Sequence, residues 1–128
     1  MSAYYTLIIL EEPLAVCRLP AEAPSPEWAR GNSLLALIRT SEELSIVCRE
    51  EYPPLDVPSE KGWRAMKVQG PLEFSQVGVV ASLAVPLAQA GVSIFVLSTF
   101  ETDYLLVKTE WLVRAVDALR RAGHQIAE

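Results

Sequence analysis

The sequence predicts an α+β protein made of two tandem split-βαβ units, and three observations lead there. Gly31-Asn32-Ser33-Leu34-Leu35-Ala36-Leu37 aligns without a gap on Gly91-Val92-Ser93-Ile94-Phe95-Val96-Leu97. The offset of sixty still holds at Val47 over Val107, at Glu50 over Glu110 and upstream at Pro26 over Pro86. Short β-rich segments alternate with two stretches whose apolar residues recur at helical spacing, the signature of helices laid on one face of an antiparallel sheet.

Tyr4 to Leu10 is rich in β-branched and aromatic residues and reads as a buried strand. Leu14 to Leu19 follows as a shorter extended piece. The stretch Pro20 to Pro26 carries three prolines and reads as a connector, leaving only Glu27 to Arg30 for a stunted helical turn. Ser33 to Arg39 and Leu44 to Arg49 form a hairpin across the polar Thr40-Ser41-Glu42-Glu43. Three more prolines between Tyr52 and Ser59 cannot donate to a strand ladder, so the boundary between units is expected near Ser59, giving 1–59 and 60–128.

In the second unit Trp63 to Val68 reads as a strand ending at Gly70-Pro71. Val80, Leu83, Ala84, Leu87 and Ala88 make an amphipathic helix over 77–90, interrupted by Pro86 and stopped by Gly91. Val92 to Ser98 is a nearly continuous apolar strand with Tyr104 to Lys108 as its hairpin partner. Thr109 is a candidate helix N-cap, Leu112, Val116 and Leu119 form an apolar stripe, and Arg120 and Arg121 suit the last turn before Gly123. His124 to Ala127 completes the order as a short edge strand, with the lone His124 expected at the surface. Strand, helix, strand, strand, helix, strand is the ferredoxin-like order. The first unit shows it in degenerate form.

Composition narrows the function. Apolar residues make up 51% and charged residues 21%, as in a globular domain. A net charge of −5 argues against nucleic acid or an anionic membrane, which require clustered cations. No apolar run is long enough to span a bilayer and no signal-peptide order opens the chain, so a cytoplasmic location is expected. Cys17 and Cys48 have no His at metal-ligand spacing, which predicts two reduced thiols, no metal and no cofactor. With one His, no nucleophile–base pairing and no phosphate loop, catalysis is not expected. Trp28, Trp63 and Trp111 are expected to serve packing, without stacking partners.

The run from Gly70 to Gly78, followed by Ala88-Gln89-Ala90-Gly91 and by Ser98-Thr99-Phe100-Glu101-Thr102-Asp103-Tyr104, resembles the ACT-domain family. The likeness is to its small bacterial tandem members, relatives of the eukaryotic cytosolic arginine sensor, and is strongest from Trp63 to Val107. It implies paired ferredoxin-like regulatory modules, a homodimer or larger homo-oligomer, and an amino acid or similar zwitterion as ligand. The site it implies lies between the turn before the first helix, at Ser75, Gln76, Val77 and Gly78, and the end of the second strand, at Ser98, Thr99, Phe100 and Asp103.

The residue chemistry points the same way. Gly78 opens a helix whose first amides lack intrahelical acceptors and suit a carboxylate. Asp103 offers an acceptor for an α-ammonium, Ser98 and Thr99 add hydroxyls, and Phe100 supplies a cover for an aliphatic or guanidinium group. Glu101 reads as a solvated loop carboxylate. The first unit has Thr40-Ser41-Glu42-Glu43 in place of Phe100-Glu101-Thr102-Asp103 and lacks the glycine-opened helix, so one competent site per chain is expected. A structural oligomerisation module that binds nothing small is the alternative.

Overall fold

The computed structural model describes residues 4–70, 72 and 77–127. Ser75 and Gln76 of the expected site lie outside the described residues. The strands are β1 (Thr6–Ile9), β2 (Leu14–Leu19), β3 (Ala36–Arg39), β4 (Leu44–Arg49), β5 (Ser59–Val68), β6 (Phe95–Ser98), β7 (Asp103–Lys108) and β8 (Gln125–Ala127). The helices are α1 (Val79–Gln89) and α2 (Leu112–Arg121), the latter entered through a 3-10 turn at Thr109–Trp111. These elements group into two compact units, a smaller one over Glu12–Trp63 and a larger one that joins the residues up to Glu11 with those from Arg64 on. The boundary expected near Ser59 falls at the first residue of β5, and β1 is grouped with the C-terminal elements.

In the larger unit the sheet order is β6-β7-β5-β1-β8. β1 runs antiparallel to β5, with Leu7 opposite Val68, and parallel to β8, with Leu7 opposite Ile126. It therefore occupies the place between β5 and β8 where the ferredoxin-like order alone would set those two strands side by side. α1 buries Val79, Leu83 and Leu87, one residue per turn, and α2 buries Ala115 and Leu119. These meet Leu7, Met66, Val68, Leu105 and Val107 from the strands in one apolar cluster. Full burial of such a Leu or Val side chain contributes about 1.5–3 kcal/mol. Mixed strand pairing with two helices is the expected α+β, ferredoxin-like arrangement.

The smaller unit is antiparallel throughout, in the order β3-β4-β2-β5, with the Ser59–Trp63 half of β5 pairing to β2. Ala15, Cys17, Leu44, Ile46 and Cys48 form its buried face, against which Trp28, Ala29 and Val57 pack. Pro26 to Ala29 makes a single turn, Ala29 N–H to the Pro26 carbonyl at 3.2 Å, in place of a helix.

Several local expectations shift. Thr109 lies inside the 3-10 turn and not at a cap position, which Lys108 holds in extended conformation with no side-chain cap bond. The β3–β4 and β6–β7 turns share one hydrogen-bond pattern at positions fifty-nine residues apart. Thr40 N–H reaches the Glu43 carbonyl at 2.9 Å and Thr99 N–H the Thr102 carbonyl at 2.8 Å, and in both turns the threonine hydroxyl bonds the backbone of the fourth residue. Trp111 does have a partner, the Arg114 guanidinium 4.6 Å from its ring centre.

His124, expected at the surface, is 5% exposed. Its Nδ1 accepts the Tyr5 N–H at 3.1 Å, which leaves the proton on Nε2, and Nε2 lies 3.0 Å from the Ser82 carbonyl. That carbonyl stands four residues before Pro86, whose missing N–H deprives it of its helical donor. The imidazole replaces the lost bond and stacks on Tyr5 at 5.8 Å. The helix accordingly continues through Pro86 to Gln89.

Candidate functional site

The amino end of α1 is held open by one glycine. Gly78 has φ 83° and ψ 8°, in the left-handed region, and a Cβ built there meets nothing within 4 Å, so the residue is required by conformation and not by space. Among the described residues no side chain caps this end, and no acidic residue occupies the first turn. The first helical bond runs from Ser82 N–H to the Gly78 carbonyl at 2.9 Å, which leaves the amides of Val79, Val80 and Ala81 without a helical acceptor. Aligned peptide dipoles add positive potential at the same place.

Facing it is the β6–β7 hairpin. Ser98 and Asp103 are its last paired residues, and Ser98 Oγ donates to Asp103 Oδ1 at 2.6 Å. The bond fixes the carboxylate on the strand end and uses one of its oxygens. The turn itself is tied down from below. Thr102, 5% exposed, donates from its hydroxyl to the Val68 carbonyl at 2.5 Å, and Leu72 N–H donates to the Glu101 carbonyl at 2.7 Å. Gly70 allows this approach, since a Cβ there would lie 3.1 Å from the Glu101 oxygen and 3.3 Å from Thr102 Cβ.

Between the helix end and the hairpin lies an open cleft of about 410 Å³, lined by Leu72, Gly78, Val79, Val80, Ala81 and residues Ser98 to Asp103. That is the size range of small-molecule sites. Of the residues expected from sequence, Gly78, Ser98, Thr99, Phe100 and Asp103 are brought to this one lining; Val77 is adjacent and 92% exposed but does not line it. Phe100 stands 80% exposed at the rim. Sequence reasoning missed Leu72, Val79, Val80, Ala81 and Thr102, and Glu101, expected as a solvated loop carboxylate, also lines the cleft. The three helical residues were implicit in Gly78 opening a helix. Thr102 and Leu72 depend on bonds to distant segments. In the smaller unit, the positions fifty-nine residues before Ser98 and Asp103 are Arg39 and Leu44, which cannot form the same hydroxyl–carboxylate pair.

Among the described residues no group of three or more potential metal ligands occurs, and no helix is long and apolar enough to cross a membrane. The arrangement is chemically a binding site: amides and a helix dipole on one wall, a hydroxyl-bound carboxylate on the other, and an apolar rim.

Fold and cleft together define a ferredoxin-like ligand-binding module. The family model for the ACT domain matches residues 58–121, and a second model, which describes an N-terminal domain, matches residues 12–56. The chain belongs to the ACT-domain family. It is similar to the protein Atu0741 from Agobacterium tumefaciens, whose crystal structure is 40% identical, covers 98% of this chain and 94% of its own, and superposes with a TM-score of 0.93. It is also 36% identical over 66 residues to the human cytosolic arginine sensor for mTORC1 subunit 1. That match covers 51% of this chain and 20% of the sensor, so this chain spans about one fifth of that relative's length. The regulatory subunit of aspartate kinase from Thermus thermophilus shares the fold at a TM-score of 0.64 and 11% identity, over 91% of this chain and 96% of that one.

Proposed function

We propose that the chain is a non-catalytic regulatory module that binds a free amino acid or a similar zwitterion in the cleft between α1 and the β6–β7 hairpin. Family membership supports a regulatory, small-ligand-binding role. The observation that carries the finer reading is the placement of two complementary half-sites on one cleft: the uncapped amides of Val79 to Ala81 for a carboxylate, and Asp103 for an ammonium. A charge-assisted hydrogen bond of this kind contributes about 1.5–3 kcal/mol. Val77, Ser75 and Gln76 complete the proposed anion side, and Thr99 and Phe100 the opposite rim. The net charge of −5 accords with a ligand other than nucleic acid or an anionic membrane, and the proposed setting is the cytoplasm.

Substitutions at the two ends test this in opposite ways. Asp103→Ala removes the ammonium acceptor and abolishes the calorimetric signal of whichever of the twenty amino acids binds the native protein. Ala81→Asp places a carboxylate in the first turn of α1, so it raises stability by about 0.3–1 kcal/mol through the helix dipole while competing with the ligand. Binding unaffected by either change sinks the two-ended reading.

The chain is also proposed to be a homo-oligomer, most simply a homodimer. β3 ends its sheet, and Leu37 and Ile38 on its two faces are 39% and 43% exposed, which favours covering that edge. Sedimentation showing a dimer, with the amino-acid screen silent, selects the alternative of an oligomerisation module without a small ligand. The smaller unit is proposed to be a degenerate copy of the larger, on the strength of the matching threonine turns.

A further inference from the structure

The two cysteines, which the ligand site does not use, lie together in the smaller unit. On the β2–β4 ladder Cys17 stands opposite Ile46 and Cys48 opposite Ala15, which puts the thiols on the same face in diagonal register. Both are buried, and they belong to one packed cluster with Ala15, Leu44 and Ile46. We propose that Cys17 and Cys48 form a redox-active dithiol, with Cys17 the nucleophile toward hydrogen peroxide and Cys48 the resolving thiol.

The surroundings separate the two roles. Cys17 lies on the last rung of the β2–β5 ladder, opposite Ser59 and beyond an irregularity in register between Leu14 and Val16. There it lines a hollow of about 450 Å³ together with Pro58, Ser59, Glu60 and Ser45. Cys17 is only 2% exposed, which suits an oxidant the size of peroxide and excludes bulky reagents. Ser59 Oγ lies 3.4 Å from Cys17 Sγ and 3.1 Å from the Val57 carbonyl. Its single proton can serve the carbonyl while Cys17 is a thiol and turn to the sulfur when Cys17 ionises. The hydrogen bond from Cys48 brings the Cys17 thiol down to about 7 against the opposing effect of burial, with Ser59 and the charge of Lys61 acting in the same direction. The same bond, burial, and the negative charges of Cys17 and Glu12 push Cys48 the other way. Cys48 therefore keeps its proton while its neighbour reacts.

The chemistry closes with peroxide alone. The Cys17 thiolate attacks one peroxide oxygen, the O–O bond breaks, and hydroxide leaves from a sulfenic acid. The Cys48 sulfur then displaces the sulfenic oxygen as water and gives up its proton, so two thiols lose two electrons and peroxide is reduced to two waters. Diagonal neighbours on a ladder have Cα atoms roughly 7–8 Å apart, beyond the usual disulfide span of about 4.4–6.8 Å. Closure therefore needs a local shift of β2 along β4, so the bond formed is strained and readily reduced.

Intact-mass analysis of the native chain after a stoichiometric pulse of hydrogen peroxide tests this without any variant. The expected product has lost two hydrogens, maps to a Cys17–Cys48 peptide pair, reverts with a dithiol reductant, and forms faster as pH rises through about 7. Cys48→Ser is expected to stop at a sulfenic acid on Cys17, read as the gain of one oxygen in the intact mass, and Cys17→Ser to leave Cys48 unoxidised. Oxygen addition at Cys48 in the native chain, progress at Cys17 to sulfinic acid without a disulfide, or inertness until denaturant is added would each overturn the proposal.

Discussion

Gly78 and Asp103 are the residues on which the proposed site turns, and both do local work. A glycine with φ 83° and open space around its missing Cβ is there for its backbone alone. Replacing it by alanine is expected to cost about 1–2 kcal/mol, the usual penalty of a left-handed L-residue, and to lower Tm by roughly 3–6 °C in a chain of this size. Calorimetric unfolding checks this; an unchanged Tm would mean that the turn relaxes and does not constrain the helix end. Such residues are legible in a sequence because a helix start and a hairpin end are written in neighbouring positions. Thr102 is not legible, since its partner, the Val68 carbonyl, lies thirty-four residues away. A threonine in a hairpin turn looks the same whether or not its hydroxyl anchors the turn to a distant strand.

At the scale of elements, the informative case is α1 with Pro86 inside it. The sequence shows the proline and therefore an orphaned carbonyl at Ser82, but not what satisfies it. The donor is His124, forty-two residues on, and the same ring receives the first backbone amide before β1. His124→Phe keeps the stacked ring and loses both bonds, with an expected cost of about 1–3 kcal/mol for each buried group left unpaired. In a Pro86→Ala background the helix regains its own donor to Ser82, so the cost of the same change is expected to fall. Chemical denaturation of the four proteins measures the difference; equal costs in both backgrounds would disconnect the histidine from the proline. The repeat register shows the complementary limit. In the proposed duplication Gly31 over Gly91 suggests sixty, whereas the two threonine turns lie fifty-nine residues apart, because apolar identity tolerates a slip of one and turn geometry does not.

For the whole molecule, element order was readable from periodicity and turn residues, which is why the α+β class and the hairpins emerge from sequence alone. The grouping of elements was not. A β-rich N-terminal segment next to a matching hairpin invites assignment to that hairpin's unit, yet β1 pairs with β5 and β8. A fragment covering 58–128 contains the whole ACT-domain match but lacks β1, leaving β8 without its partner and Leu7 absent from the core. That fragment is expected to melt without cooperativity and to bind a hydrophobic dye. Addition of a peptide spanning residues 4–11 is expected to restore a sharp transition, as read by calorimetry. A fragment that unfolds like the full chain would show that β1 is dispensable.

The pairing of β1 with β8 also sets a timetable for synthesis. Thr6 and Gln125, which face each other across that ladder, are made at opposite ends of translation of this stretch. Every strand residue of the smaller unit has been made once Trp63 is added, so its ladder can be closed while the rest is still being polymerised. The first strand can join β5 once Val68 is made, but its other edge must wait for a mate that is made more than a hundred residues later, and chaperone dependence in the cell should concentrate on that interval.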